Sequence, residues 1–117
     1  MSVVEAEWVR PHDRRRWPRV RLRLPLRVVD SESSFSVLTG ETVDVSVGGV
    51  LASTDGPIGG AMKATVQLDL PDGQTVVCEV RVASGGAVED GWQYRLAFGS
   101  LEVAEIDALE RLVRRAS

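Results

Sequence analysis

Arg15 and Arg19 fall in the run Asp13-Arg14-Arg15-Arg16-Trp17-Pro18-Arg19, and Asp44, Ser46 and Gly49 follow in Asp44-Val45-Ser46-Val47-Gly48-Gly49. The first segment reads R-x-x-x-R and the second D-x-S-x-x-G. A guanidinium is a planar, permanent cation. Its fork fits phosphate oxygens and the O6/N7 edge of guanine, and its flat face stacks on purines. The second segment supplies a carboxylate, a hydroxyl and bare glycine backbone that a ligand can approach closely. Cations on one side and acceptors on the other suit a ligand that carries both phosphate and base.

The distribution of charge narrows the ligand. Eight of the 14 basic residues are arginines between Arg10 and Arg27, while most of the 17 acidic residues lie later and the net charge is -3. A basic segment on an acidic body points to an anionic partner at one place. The acidic body repels a long polyanion, so a small anion fits better than a nucleic-acid polymer. Lys63 is the sole lysine. A GC-rich genome accounts for that scarcity, but not for the clustering of arginines before residue 28.

Catalysis finds little support. His12 lies among the arginines with no metal partners in view, and no nucleophile–base pairing or Gly-rich phosphate loop is present. Cys78 is the single cysteine, which rules out an internal disulfide and a cysteine-based zinc cluster. It falls on the apolar side of its segment, as an inert core thiol does. No stretch reaches the ~20 apolar residues of a membrane helix, and the N-terminus lacks the regions of a signal peptide. These features describe a reduced, cytoplasmic, non-enzymatic binding module with no metal and no cofactor.

A sheet must position these groups. The 117 residues suit one domain, and 44% hydrophobic content supports a core. Residues 1–10 read as an N-terminal extension and residues 11–19 as a loop. From Val20 to Val28 apolar residues alternate with Arg21, Arg23 and Arg27, as in a half-buried strand, with Pro25 marking an edge or bulge. Further strands are expected over 40–46, 49–53, 64–70, 76–82 and 92–98. Polar residues 30–34, Gly59-Gly60, Gly85-Gly86 and Asp90-Gly91 serve as loop signals, and Pro71-Asp72-Gly73 as a tight hairpin turn. Six short strands with regular turns indicate an all-β antiparallel barrel or sandwich. The tail then changes period. Leu101, Ala104, Ala108, Leu109, Leu112 and Val113 follow helical spacing behind Ser100 as N-cap, giving a C-terminal α-helix over 100–116.

The order and separation of R-x-x-x-R and D-x-S-x-x-G, with the ending Tyr94-Arg95-Leu96-Ala97-Phe98 before a helix, resemble the PilZ domain. That is a small β-barrel module known for binding the bacterial second messenger cyclic di-GMP. The resemblance spans about Arg14 to the final helix and implies a PilZ domain over 11–117. Within it lie an arginine-rich ligand loop (11–19), a six-stranded split barrel (20–99) and the helix.

By the same resemblance, Arg15 and Arg19 contact guanine edges and phosphates and stack on the bases. Asp44 can accept from guanine N1–H and N2–H2, a donor pair that adenine lacks, although Asp is also a common turn residue. Ser46 either bonds the base edge or a phosphate, or satisfies backbone at a strand end. Gly49 allows close ligand approach or a bulge, and Gly48 serves the turn. Arg14 precedes the motif. An arginine there accompanies, in the family, an intercalated cyclic di-GMP dimer. Arg16 reads equally as an auxiliary phosphate contact or a solvated side chain; Arg10, Arg21, Arg23 and Arg27 read mostly as solvent-face residues, with Arg10 and Arg23 the two that could lie near the site. Trp17 is better suited to packing the loop than to stacking on a base.

The implied role is a cyclic di-GMP receptor or adaptor in which ligand orders the arginine loop against the barrel and alters the surface seen by a downstream protein. Motility, exopolysaccharide and surface behaviour are the outputs the family implies. The competing expectations are a PilZ-fold protein–protein adaptor that binds no nucleotide, and nonspecific nucleic-acid binding through the basic arm.

Overall fold

The computed structural model describes residues 18–30, 37–58 and 63–116. Of the polar cluster 30–34, expected as a turn, Asp30 is instead the last residue of a strand, and residues 31–34, like Gly59-Gly60, lie outside the described residues. The described chain forms β1 (Val20–Arg21), β2 (Pro25–Asp30), β3 (Val37–Val45) and β4 (Gly49–Thr54). There follow β5 (Lys63–Asp69), β6 (Thr75–Val88), β7 (Gly91–Phe98) and the helix α1 (Val103–Ala116). Every pairing is antiparallel, in the order β1-β3-β2-β5-β6-β7-β4, and β4 returns to pair with β3. β3, β2, β5, β6, β7 and β4 therefore form a closed six-stranded ring, the expected barrel. Closure leaves no open sheet edge along the paired lengths.

Period-two alternation sends one side of each strand inward. Leu26, Leu68 and Val76 meet in one cross-strand row, and Val28, Val66 and Cys78 in the next. Val20, Val45, Val50 and Leu96, with Val82, make a third row on the far side of the ring. All but Val82 are buried, and Val82 packs against the same core. Each fully buried aliphatic side chain contributes roughly 1.5–3 kcal/mol. The hairpin β5–β6 turns at Pro71-Asp72-Gly73, as expected, with the Gln74 N–H donating to Asp72 Oδ1 at 2.9 Å.

The expected strand 20–28 is two pieces, β1 and β2, and a threonine explains the break. The side chain of Thr42, 1% exposed, inserts between them. Its Oγ1 accepts from Leu24 N–H at 2.9 Å and donates to the Leu22 carbonyl, while Thr42 N–H donates to Leu24 O at 3.0 Å. A hydroxyl thus replaces part of the backbone ladder. Thr42→Val keeps the shape and orphans both Leu24 N–H and Leu22 C=O. Losing partners for such groups costs about 1–3 kcal/mol, to be read as a lowered thermal midpoint, and an unchanged midpoint contradicts the bridging role.

Three other expectations are corrected. Gly85 and Gly86 are not a loop: β6 runs through them to Val88 and pairs with β7 throughout that length. Gly85 adopts φ +133°, and a Cβ there would collide with Gln93 O and the Tyr94 ring, so the glycine is a bend inside a long strand. The helix begins at Val103 rather than at a Ser100 cap. Glu102 N–H is bonded by Glu105 Oε1 at 3.0 Å, the return half of a capping box. Ala108, Leu109 and Val113 are its buried face, with Leu101, Ile106 and Leu112 packed against the core. Ala104, expected on that face, is exposed.

Candidate functional site

The register of β1 against β3 brings the two sequence motifs together. Val20 pairs with Val45 and Arg21 with Asp44. Antiparallel direction then carries Arg19, exposed and one residue before β1, alongside Ser46. The last arginine of R-x-x-x-R and the start of D-x-S-x-x-G therefore share one end of the barrel. Arg10, Arg14, Arg15 and Arg16, with His12 and Trp17, lie outside the described residues.

A β-bulge aims Asp44 outward. Thr42 pairs with Ala52 and Asp44 with Leu51, so Val43 is the extra residue. Without it the strict alternation would turn Asp44 inward with Thr42. With it, Val45 fills the core and Asp44 joins the outer face. Leu51 in turn pairs with Arg95 on β7, and a second bulge at Ala83 sets Ser84 opposite Arg95. Arg21, Asp44, Leu51, Arg95 and Ser84 form one row across the outside of the barrel.

Along that row Arg95 reaches over the Leu51 position to Asp44. Its Nη1 donates to Asp44 Oδ1 at 3.0 Å, with the two side chains 27% and 18% exposed. The sequence places Arg95 in the strand expected over 92–98 and in the Tyr94-Arg95-Leu96-Ala97-Phe98 ending, and gives it no role in the site. Only the strand order β3-β4-β7, which no local pattern specifies, pairs it with Asp44.

Ser46, Gly48 and Gly49 are engaged in the turn itself. Ser46 N–H donates to Gly49 O at 2.9 Å, closing a two-residue loop of Val47 and Gly48. Ser46 Oγ accepts from Gly48 N–H at 3.1 Å and donates to Gly49 O at 3.3 Å. Gly48 O accepts from Phe98 N–H at 3.0 Å, tying the turn to β7. At Gly49 a Cβ would press into Leu96 O, with Ala97 Cα 3.2 Å away. The close approach that this glycine permits is that of β7. Ser46 is 7% exposed, so its hydroxyl is a turn-forming group first.

A shallow cleft of about 620 Å³ opens beside this row. Arg21 and Arg23 line it together with Glu41, Glu89 and Asp90. Arg23 is already engaged with Glu41 at 3.6 Å. Carboxylates balance the guanidinium groups there, so an anionic ligand is better served by the Arg19–Asp44–Ser46 end.

Cys78 is 7% exposed, and its thiol is pushed up to about 11 by burial first and by the charge of Glu105 second. A thiol so disfavoured as thiolate is a poor nucleophile. Among the described residues no group of His, Cys, Asp and Glu is arranged to hold a metal ion, and no helix is long and apolar enough to cross a membrane.

Comparison with known proteins places these features in a family. The family model described as PilZ domain matches residues 13–115. Among solved structures, the Bacillus subtilis inhibitor of motility MotI/DgrA superposes with a TM-score of 0.72 at 15% identity, covering 87% of this chain and 51% of that one. The chain thus spans about half the length of that protein. The PilZ domain of YcgR from Escherichia coli with c-di-GMP gives 0.70 at 13% identity, covering 88% and 91%. The PilZ domain of CeSA from a cellulose-synthesizing bacterium gives 0.60 at 20% identity, covering 84% and 96%. At these identities the structural likeness is one of fold. No curated protein sequence matches the chain.

Proposed function

The chain belongs to the PilZ domain family, and from that premise we propose that it is a receptor for cyclic di-GMP. The observation that carries the proposal is the β1–β3 register, which pairs Val20 with Val45 and Arg21 with Asp44 and so directs the chain at Arg19 toward Ser46. A cluster of arginines and a guanine-competent carboxylate then face one ligand. The solved YcgR domain, named with c-di-GMP, supports the choice of ligand.

In this reading Arg15 and Arg19 clamp phosphates and guanine edges, and Arg14 stacks between bases of an intercalated ligand dimer. Arg10 and Arg16 assist with phosphate. Neutralising the crowded guanidinium groups draws residues 10–19 against the barrel and changes the surface offered to a downstream protein. Motility control is the output best supported, because MotI/DgrA is named as an inhibitor of motility. In the same reading the protein acts in the cytoplasm, with neither membrane insertion nor a nucleic-acid polymer as partner.

Asp44 provides the chemical basis for guanine over adenine. Competition binding of cyclic di-GMP against cyclic di-AMP tests it: the wild-type protein prefers the guanine ligand, and Asp44→Ala weakens binding and narrows the preference. Unchanged selectivity in that variant contradicts the role given to Asp44.

A further inference from the structure

Asp44 does not stand alone in the folded protein. Its Oδ1 is held by Arg95 Nη1 at 3.0 Å, across Leu51 and from a strand two places away in the barrel. Two β-bulges, at Val43 and at Ala83, adjoin this pair and bring the two side chains into one outer row. Both groups are largely withdrawn from solvent, at 18% and 27% exposure. A charge-assisted hydrogen bond of this kind fixes the orientation of the carboxylate that accepts it.

We propose that Arg95 is the positioning residue for guanine recognition, holding the Asp44 carboxylate in the orientation that meets guanine N1–H and N2–H2. This rests on the cyclic di-GMP reading above. The contact is single: one guanidinium nitrogen to one carboxylate oxygen. An ionised carboxylate offers about four lone-pair sites. Arg95 therefore occupies one direction on Oδ1 and leaves Oδ2, with the rest of Oδ1, for the base. The arrangement resembles the outer-shell partners that orient a ligating side chain without touching what it binds.

The test is a set of titrations with cyclic di-GMP and cyclic di-AMP on wild type, Arg95→Gln, Arg95→Lys, Asp44→Ala and Arg95→Gln/Asp44→Ala, each verified as folded by thermal melting. Arg95→Gln lowers cyclic di-GMP affinity about tenfold and narrows the preference over cyclic di-AMP. Arg95→Lys restores part of both, because it keeps the charge. In the Asp44→Ala background the Arg95 change has no further effect. Wild-type-like or tighter binding by Arg95→Gln overturns the inference, since Arg95 is then idle or competes with the ligand for Asp44. An equal loss in both backgrounds also overturns it and makes Arg95 a direct ligand contact. A wild-type protein that binds neither nucleotide defeats the receptor reading itself and takes the inference with it, an outcome distinct from any pattern among the variants.

Discussion

Arg19→Ala lowers cyclic di-GMP affinity by about 30–100-fold and leaves the thermal midpoint of the free protein almost unmoved. The binding loss follows from removing charge-assisted hydrogen bonds to phosphate or guanine, worth about 1.5–3 kcal/mol each. The stability half follows from position. Arg19 is exposed and precedes β1, and no described hydrogen bond or salt bridge involves its side chain. Surface substitutions of this kind stay within about 0.5 kcal/mol. Arg15→Ala is expected to match it in binding. Titration and thermal melting of the same preparations separate the two effects. Normal binding by both variants would show that R-x-x-x-R is a solvated basic segment.

Gly49→Ala does the opposite, acting on the fold before the ligand. The added Cβ meets the carbonyl oxygen of Leu96 and comes within 3.2 Å of Ala97 Cα, and both are backbone atoms of β7. Neither can swing aside as a side chain does, so β4 and β7 must separate at the start of β4. Overpacking against fixed atoms costs about 1–3 kcal/mol, a fall of roughly 5–15 °C in midpoint for a domain of this size. Gly86→Ala is the control, since nothing lies within 4 Å of its Cβ position. A Gly49→Ala protein with a wild-type midpoint and lost binding would contradict this and make the glycine a ligand contact.

Local pattern carried the barrel a long way. The 64–70 and 76–82 alternation around Pro71-Asp72-Gly73 specifies the β5–β6 hairpin, because period and turn chemistry agree there. The apolar spacing of the tail specifies α1 for the same reason. The failures have a common origin in tertiary contacts. Gly85-Gly86 has turn composition but serves as a bend where β6 passes close to Tyr94. The break between β1 and β2 depends on Thr42 from another strand.

The site divides along the same line. D-x-S-x-x-G was legible as a strand junction, and the structure gives its serine and glycines clear backbone duties. Arg95 was not legible. Its meaning arises only when β4 lies between β3 and β7 and a bulge turns Asp44 outward. Sequence alternation alone gives no sign of a bulge at Val43, which has the same apolar character as its neighbours Val45 and Val47.

Isothermal titration of the purified protein with cyclic di-GMP tests the central claim most directly. The account predicts saturable, enthalpically visible binding, with a ligand pair per chain if Arg14 stacks within an intercalated dimer, and much weaker binding of cyclic di-AMP. Absence of binding at high micromolar cyclic di-GMP, from protein that melts cooperatively, contradicts it and leaves a PilZ fold that works through protein contacts alone.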